Sequence, residues 1–118
     1  MEYGGRRGIA DAVPGAVTRY CEADARRDPD AIVALFTEDA VVTDEGLTRR
    51  GSEEIRAWQE GVAGQYQYTT ELLGAEVAGE DTVLVTGRLE GNFPGGTAVL
   101  KWRFSLTDGH IRDLEIAP

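Results

Sequence analysis

Apolar residues near the start of the chain recur at the three- and four-residue spacing of helices. The spacing of Val17, Tyr20 and Cys21 predicts a first helix over about 14–27. A second apolar stripe, which follows an Asp-Pro pair suited to a helix start, predicts another helix over about 29–36. Two short helices joined by so tight a link predict a helical hairpin. The charged residues of the first helix, among them Asp24, are assigned to its surface.

The pattern changes after this hairpin. A short β-branched run over about 40–44 predicts a strand that ends in a turn. Ser52 then suits the N-cap of a third helix, because its hydroxyl can accept from the free N–H groups of a first turn. Ile55, Trp58 and Val62 form the apolar face of that helix.

The second half of the chain is strand-like and is broken by Gly-rich turns. An Asp-Gly pair ahead of the last segment is a strong hairpin signal. Helices followed by a run of antiparallel strands predict an α+β fold, with the helices on one face of a curved sheet. Residues 1–12 are polar and Gly-rich and predict a loose arm, which leaves one domain over 13–118. The predicted strands are 66–73 with 75–78, then 82–90, 97–106 and 110–116.

Composition narrows the classes of partner. The chain has 118 residues and a formal net charge of −9, so nucleic acids and anionic membrane surfaces are poor partners. A neutral or apolar small molecule, or another protein, is the expected partner. One cysteine and one histidine exclude an internal disulfide and the usual Cys/His zinc site, and no cofactor is required. Without a leader-like or membrane-spanning apolar run, a cytoplasmic location is expected.

Asp44 is the candidate base. It shares a strand face with Val42, so an inward Val42 would bring the Asp44 carboxylate into an apolar interior. Such surroundings disfavour the charged form of a carboxyl group and make it a better base near neutral pH. The alternative is an aspartate at the end of a strand that faces water. Tyr20 is a candidate hydrogen-bond donor to a developing oxyanion, or else a core tyrosine.

A predicted interior surrounds these two residues. Alternation along the longest strand places Leu100, Trp102 and Phe104 on one face. These side chains either line a ligand cavity or pack as plain core. His110 is expected to be exposed in a turn, and Cys21 to be a small buried apolar side chain. The predicted substrate-binding residues are Phe36, Val42, Trp58, Gln59, Leu100, Trp102, Phe104, Leu114 and Ile116.

The order of these elements resembles the nuclear transport factor 2-like, or SnoaL-like, superfamily. The steroid delta-isomerase (ketosteroid isomerase-like) branch is most similar in its local motifs. The resemblance covers about 13–118 and implies a cone-shaped α+β fold, with N-terminal helices on a curved, mainly antiparallel sheet that encloses an apolar cavity. It also implies a homodimer through the outer sheet face. The motifs are Arg19-Tyr20, the runs 30–36 and 38–44, and Arg50-Gly51 followed by Ile55-Arg56.

Residue by residue, the resemblance implies three roles and two departures. Tyr20 matches the tyrosine that donates to the enolate oxygen, Asp44 matches the general base, and Trp58 matches an aromatic residue of the cavity. Leu100 stands where the isomerases have a second, protonated acid. Gln59 stands where a tyrosine often supports the first one.

Two functions follow as expectations. The first is an enzyme that isomerises, cyclises or dehydrates an apolar carbonyl compound by acid–base chemistry, with neither metal nor cofactor. The second is a non-catalytic small-molecule binder or dimeric association domain of the same fold. Leu100 favours the second, because a single tyrosine donor makes a weaker oxyanion site.

Overall fold

The structure is a computed structural model that describes residues 14–118. The predicted arm over 1–12 and the first residue of the predicted domain lie outside the described residues. Three helices are present in the described part: α1 (Gly15–Ala25), α2 (Pro29–Val33) and α3 (Ser52–Gln65). The strands are β1 (Phe36–Asp44), β2 (Leu47–Arg50), β3 (Tyr68–Val77), β4 (Thr82–Gly91), β5 (Thr97–Thr107) and β6 (His110–Ala117).

The helices begin at local sequence signals. The Asp28 carboxylate accepts from the backbone N–H of Ala31 at 3.2 Å, and Pro29 occupies the first turn of α2, as predicted. For α3 the predicted cap is wrong by one position. Gly51, rather than Ser52, is the cap residue, and its φ of 88° lies in the region that favours glycine.

All six strands belong to one sheet, in the order β2-β1-β6-β5-β4-β3. Neighbouring strands are antiparallel except β1 and β6, which run parallel. This parallel pair joins the N-terminal part of the domain to its last strand. The predicted α+β class, with helices packed on a curved sheet, is confirmed.

The strand predictions were wrong in two places, the start of β1 and the existence of β2. β1 begins at Phe36, which the apolar stripe had placed in the second helix, because Phe36 pairs with Ile111 of β6 and Leu35 accepts from the Ile111 N–H at 2.9 Å. β2 was not predicted at all. It is a short edge strand that pairs with the end of β1, and it lacks an apolar alternation. The predicted break in β3 is a bulge between Leu72 and Gly74.

The core lies between the helices and the inner face of the sheet. Val85 of β4 is opposite Trp102 of β5, and Phe104 is opposite Leu114 of β6. The predicted hairpin before β6 is confirmed, with positive φ at Asp108 and Gly109. Between residues 14 and 118, no helix is both long enough and apolar enough to cross a membrane.

Candidate functional site

A cavity of about 400 Å³ lies between α1 and the part of the sheet that β3, β4 and β5 form. This volume falls within the usual range for small-molecule sites. Helix α1 contributes Tyr20, Cys21, Glu22, Asp24 and Ala25. The strands contribute Tyr68, Thr69, Thr70, Leu72, Val85 and Trp102.

Tyr20 occupies the inner side of this cavity. Its ring packs edge-on against the rings of Phe104 and Phe36, with centroids 5.2 and 6.3 Å away. Burial raises the pKa of Tyr20 well above its usual value, and the charge of Asp24 raises it further. The hydroxyl is therefore a neutral group throughout the physiological pH range, able to donate one hydrogen bond to a ligand.

Asp24 is one of the two acidic side chains that line this cavity, the other being Glu22, and it is half-buried there rather than fully exposed on the helix surface. Tyr68 donates its hydroxyl to Oδ1 of Asp24 at 3.3 Å. Burial raises the pKa of Asp24, while the Tyr68 hydrogen bond and the Arg27 charge act in the opposite direction. Burial, followed by the charge of Asp24, raises the pKa of Tyr68 to about 12.

Arg27 holds Tyr68 in place through two further contacts. Its Nη2 donates to the backbone carbonyl of Tyr68 at 2.6 Å. The guanidinium carbon lies 4.3 Å from the centroid of the Tyr68 ring, which is a cation–π contact. The segment that follows α1 is thereby tied to the start of β3, beside Asp24.

One sequence signal could have identified Asp24. Tyr20 and Asp24 are four residues apart on one helix, so their side chains emerge on the same face. If the Tyr20 side chain is assigned to the interior, the Asp24 side chain is therefore expected on the interior face of the helix as well. Tyr68 carried no such signal, because its contact with Asp24 depends on how β3 passes α1.

Asp44 lies at the end of β1, on the same face as the fully buried Val42. The indole N–H of Trp58 on α3 donates to Oδ2 of Asp44 at 3.0 Å. Arg49 donates to the backbone carbonyl of the same residue at 3.2 Å. The structure thus brings Asp44 and Trp58 together, but neither is among the residues that line the 400 Å³ cavity.

The other predicted substrate-binding residues divide between cavity and core. Trp102 lines the cavity. Leu100 is partly buried and packs against the core. Gln59 is a buried polar residue, 5% exposed. The remaining predicted residues are buried in the hydrophobic core outside the cavity lining: Phe36, Val42, Phe104, Leu114 and Ile116.

Other predicted placements can be compared directly. His110 is exposed in its turn, as predicted. Cys21 is partly buried, and burial raises the pKa of its thiol to about 11. Within residues 14–118 there is no cluster of three His, Cys, Asp or Glu side chains arranged to hold a metal ion.

Helices packed on one face of a six-stranded curved sheet define a small α+β domain of the cone-shaped type. The model of the SnoaL-like domain matches residues 17–114, and the chain belongs to that family. The predicted superfamily is therefore confirmed. No protein of curated function matches the chain.

Solved structures share this fold. A protein of Sinorhizobium meliloti, described as a candidate polyketide cyclase, is 37% identical with a TM-score of 0.84, over 89% of this chain and 95% of that one. A Catenulispora acidiphila protein with a ketosteroid isomerase-like fold, in complex with trimethylamine, is 21% identical with a TM-score of 0.80, over 91% and 87%. An NTF2-like protein of Cytophaga hutchinsonii is 17% identical with a TM-score of 0.72, over 86% and 85%.

Proposed function

We propose that the chain is an enzyme that performs general acid–base chemistry on an apolar carbonyl compound. The Tyr20 hydroxyl donates to the carbonyl oxygen, and Asp44 takes a proton from the adjacent carbon. Isomerisation, aldol-type cyclisation and dehydration all pass through such an enol or enolate. The observation that carries the proposal is the neutral hydroxyl of Tyr20, held among aromatic rings at the wall of the cavity.

The surroundings of Asp44 support its role as the base. Trp58 donates to Oδ2, which fixes the carboxylate and leaves Oδ1 to accept a proton. The charge of Asp44 contributes to the raised pKa of Tyr20, so the two groups interact electrostatically. Because Asp44 lies outside the cavity lining, the proposal requires the carbonyl end of the substrate to reach past Tyr20 toward the end of β1.

The test measures enolisation directly. Cyclic ketones and enones are incubated with the protein in D₂O, and loss of the α-proton signal is followed by proton NMR. We expect the Asp44→Asn and Tyr20→Phe variants to lose about 100-fold or more of the exchange rate. Asp113→Asn, a matched change at an exposed position of β6, should exchange as fast as wild type. Full activity of Asp44→Asn, folded as wild type, would refute the role of Asp44.

A non-catalytic binding or association domain is the second candidate. Leu100, partly buried on β5, leaves the predicted oxyanion site without a second acid. In that case ligands would bind in the cavity but no ketone would exchange its α-protons above the rate without protein.

We also propose a cytoplasmic homodimer in either case. Support for the interface comes from Val99, a 48%-exposed apolar residue on the outer face of β5. Light scattering after size exclusion should give twice the chain mass, and a Val99→Glu variant should shift the mass toward a monomer. A monomer at micromolar concentration in the wild type would contradict the dimer.

A further inference from the structure

The lining of the 400 Å³ cavity is both aromatic and acidic. Three of its residues are aromatic (Tyr20, Tyr68 and Trp102), and two are carboxylates (Glu22 and Asp24). Lysine, arginine and histidine are absent from the lining, as far as residues 14–118 define it. Aromatic faces and carboxylates both attract positive charge, so the electrostatic preference of this cavity is for a cation.

Among residues 14–118, no cationic side chain forms an ion pair with Asp24. Within the same residues its carboxylate accepts one hydrogen bond, from the Tyr68 hydroxyl to Oδ1 at 3.3 Å. The ion pairs found within residues 14–118 join Arg26 to Asp28, Arg56 to Asp30 and Arg88 to Glu71, and none includes Asp24. A half-buried carboxylate without a cation is costly, since burial removes part of the water that stabilises its charge.

The charge of Arg27 acts on Asp24, but the Arg27 guanidinium makes its direct contacts with another residue. Its guanidinium is held by the backbone carbonyl and the ring of Tyr68 rather than by the carboxylate. The pKa of Asp24 is raised even with that charge present, which is consistent with an incompletely neutralised group. A ligand cation would complete the pair that Arg27 does not form.

We propose that this cavity binds a small organic ammonium ion with Asp24 as its counter-ion. The rings of Tyr20 and Trp102 contact the alkyl groups of the ammonium ion. A methylated ammonium fits best, because it is weakly hydrated and loses little on entering a mostly apolar cavity. A bare metal ion fits poorly, since Asp24 belongs to no cluster of metal-ligating side chains among the described residues.

Binding of an ammonium ion in this cavity does not depend on the proposed reaction. An ammonium group on the substrate would make this cavity the recognition part of the same enzyme. A ligand without a reactive carbonyl would make it a binding site alone. Ketone exchange and ammonium binding are separate measurements, so one can fail while the other succeeds.

The test compares choline with 3,3-dimethylbutan-1-ol, a neutral molecule of the same shape, by calorimetric titration of the whole chain. We expect choline to bind about tenfold or more tightly than the alcohol, because only choline pairs with the carboxylate. The Asp24→Asn variant should lose most of this preference for choline over the alcohol. Asp113→Asn removes the same charge from an exposed site outside the cavity and should keep the wild-type preference.

A second readout uses Cys21, which lines the same cavity. Saturating choline should slow alkylation of this thiol, while the same concentration of the alcohol should slow it less. The inference is overturned if wild-type protein binds choline no better than the alcohol, or binds neither. It is equally overturned if Asp24→Asn and Asp113→Asn weaken choline binding alike, since that would show attraction to the acidic protein as a whole.

Discussion

The indole N–H of Trp58 donates to Oδ2 of Asp44 at 3.0 Å, and this bond ties the middle of α3 to the end of β1. Trp58 is 7% exposed, so the bond is largely shielded from water on the indole side. It joins a core aromatic side chain to the carboxylate that we propose as the base. The orientation of Asp44 therefore depends on the packing of α3.

A double-mutant cycle of Trp58→Phe and Asp44→Asn should measure this bond. Each change alone should lower the free energy of unfolding, and their effects should fall short of additivity. We expect a coupling energy of about 1–2 kcal/mol, the usual contribution of a hydrogen bond to a charged group. Urea unfolding of the four proteins supplies the numbers. Strict additivity would show that the bond contributes nothing to stability.

Asp24 should make stability depend on pH in the direction opposite to a salt-bridged carboxylate. Its native pKa lies above the ordinary value of 3.8, so the native state retains the proton to higher pH than the unfolded state does. Stability therefore falls as pH rises from about 3.8 through the native pKa. The Asp24→Asn variant has no carboxyl group to titrate and so avoids this loss of stability, while its amide oxygen can still accept the hydrogen bond from the Tyr68 hydroxyl. The variant should be more stable than wild type at pH 7 and lose that advantage near pH 3.

Thermal unfolding of both proteins between pH 3 and pH 7 tests whether the stability of the wild type falls relative to that of Asp24→Asn as the pH rises. The matched Asp113→Asn variant, at an exposed position, should follow the wild-type curve. If Asp24→Asn lowers the unfolding temperature at pH 7 more than at pH 3, Asp24 is better neutralised in the native state than its surroundings indicate.

Local signals were sufficient for most of the fold. The apolar stripes of α1 and α3 and the Asp-Gly turn before β6 depend on residues near one another in sequence, and these elements were predicted. The start of β1 at Phe36 depends on pairing with Ile111, which is distant in sequence, so no local pattern reveals it. Edge strand β2 is mostly exposed. It has no buried face, so its sequence lacks the alternation of apolar and polar residues that predicts a strand.

The candidate site was harder to predict. Tyr20 and Trp102 were named from the sequence and both line the cavity. Asp24 was missed because a charged residue on an amphipathic helix is usually solvated, and only the passage of β3 across α1 covers it. Val42 and Phe104 were also named from the sequence, and both are fully buried in the core. Periodicity predicts which side chains face inward, but not where the interior is left unfilled.

Cys21 should react slowly with alkylating reagents. It is the one cysteine of the chain, so iodoacetamide labels a single site. Burial, together with the charges of Asp24 and Glu22, raises the pKa of its thiol to about 11. At pH 8 we expect alkylation about 100-fold slower than that of a free cysteine, because the thiolate is the reactive form. Asp24→Asn should accelerate labelling, whereas Asp113→Asn should not.

Gly87 of β4 provides the space in which the Trp102 ring lies against the sheet. A Cβ on Gly87 would lie 3.0 Å from Cζ3 of Trp102 and 3.2 Å from Cγ2 of Thr70, so Gly87→Ala must displace a cavity-lining side chain. We expect it to lower the free energy of unfolding by about 1–3 kcal/mol, the usual cost of overpacking, and to weaken choline binding.

Gly61→Ala is the matched control. It lies within α3 with nothing inside 4 Å of the added carbon, so it should raise stability by up to about 1 kcal/mol. Wild-type stability and binding in Gly87→Ala would show that Trp102 can move without narrowing the cavity.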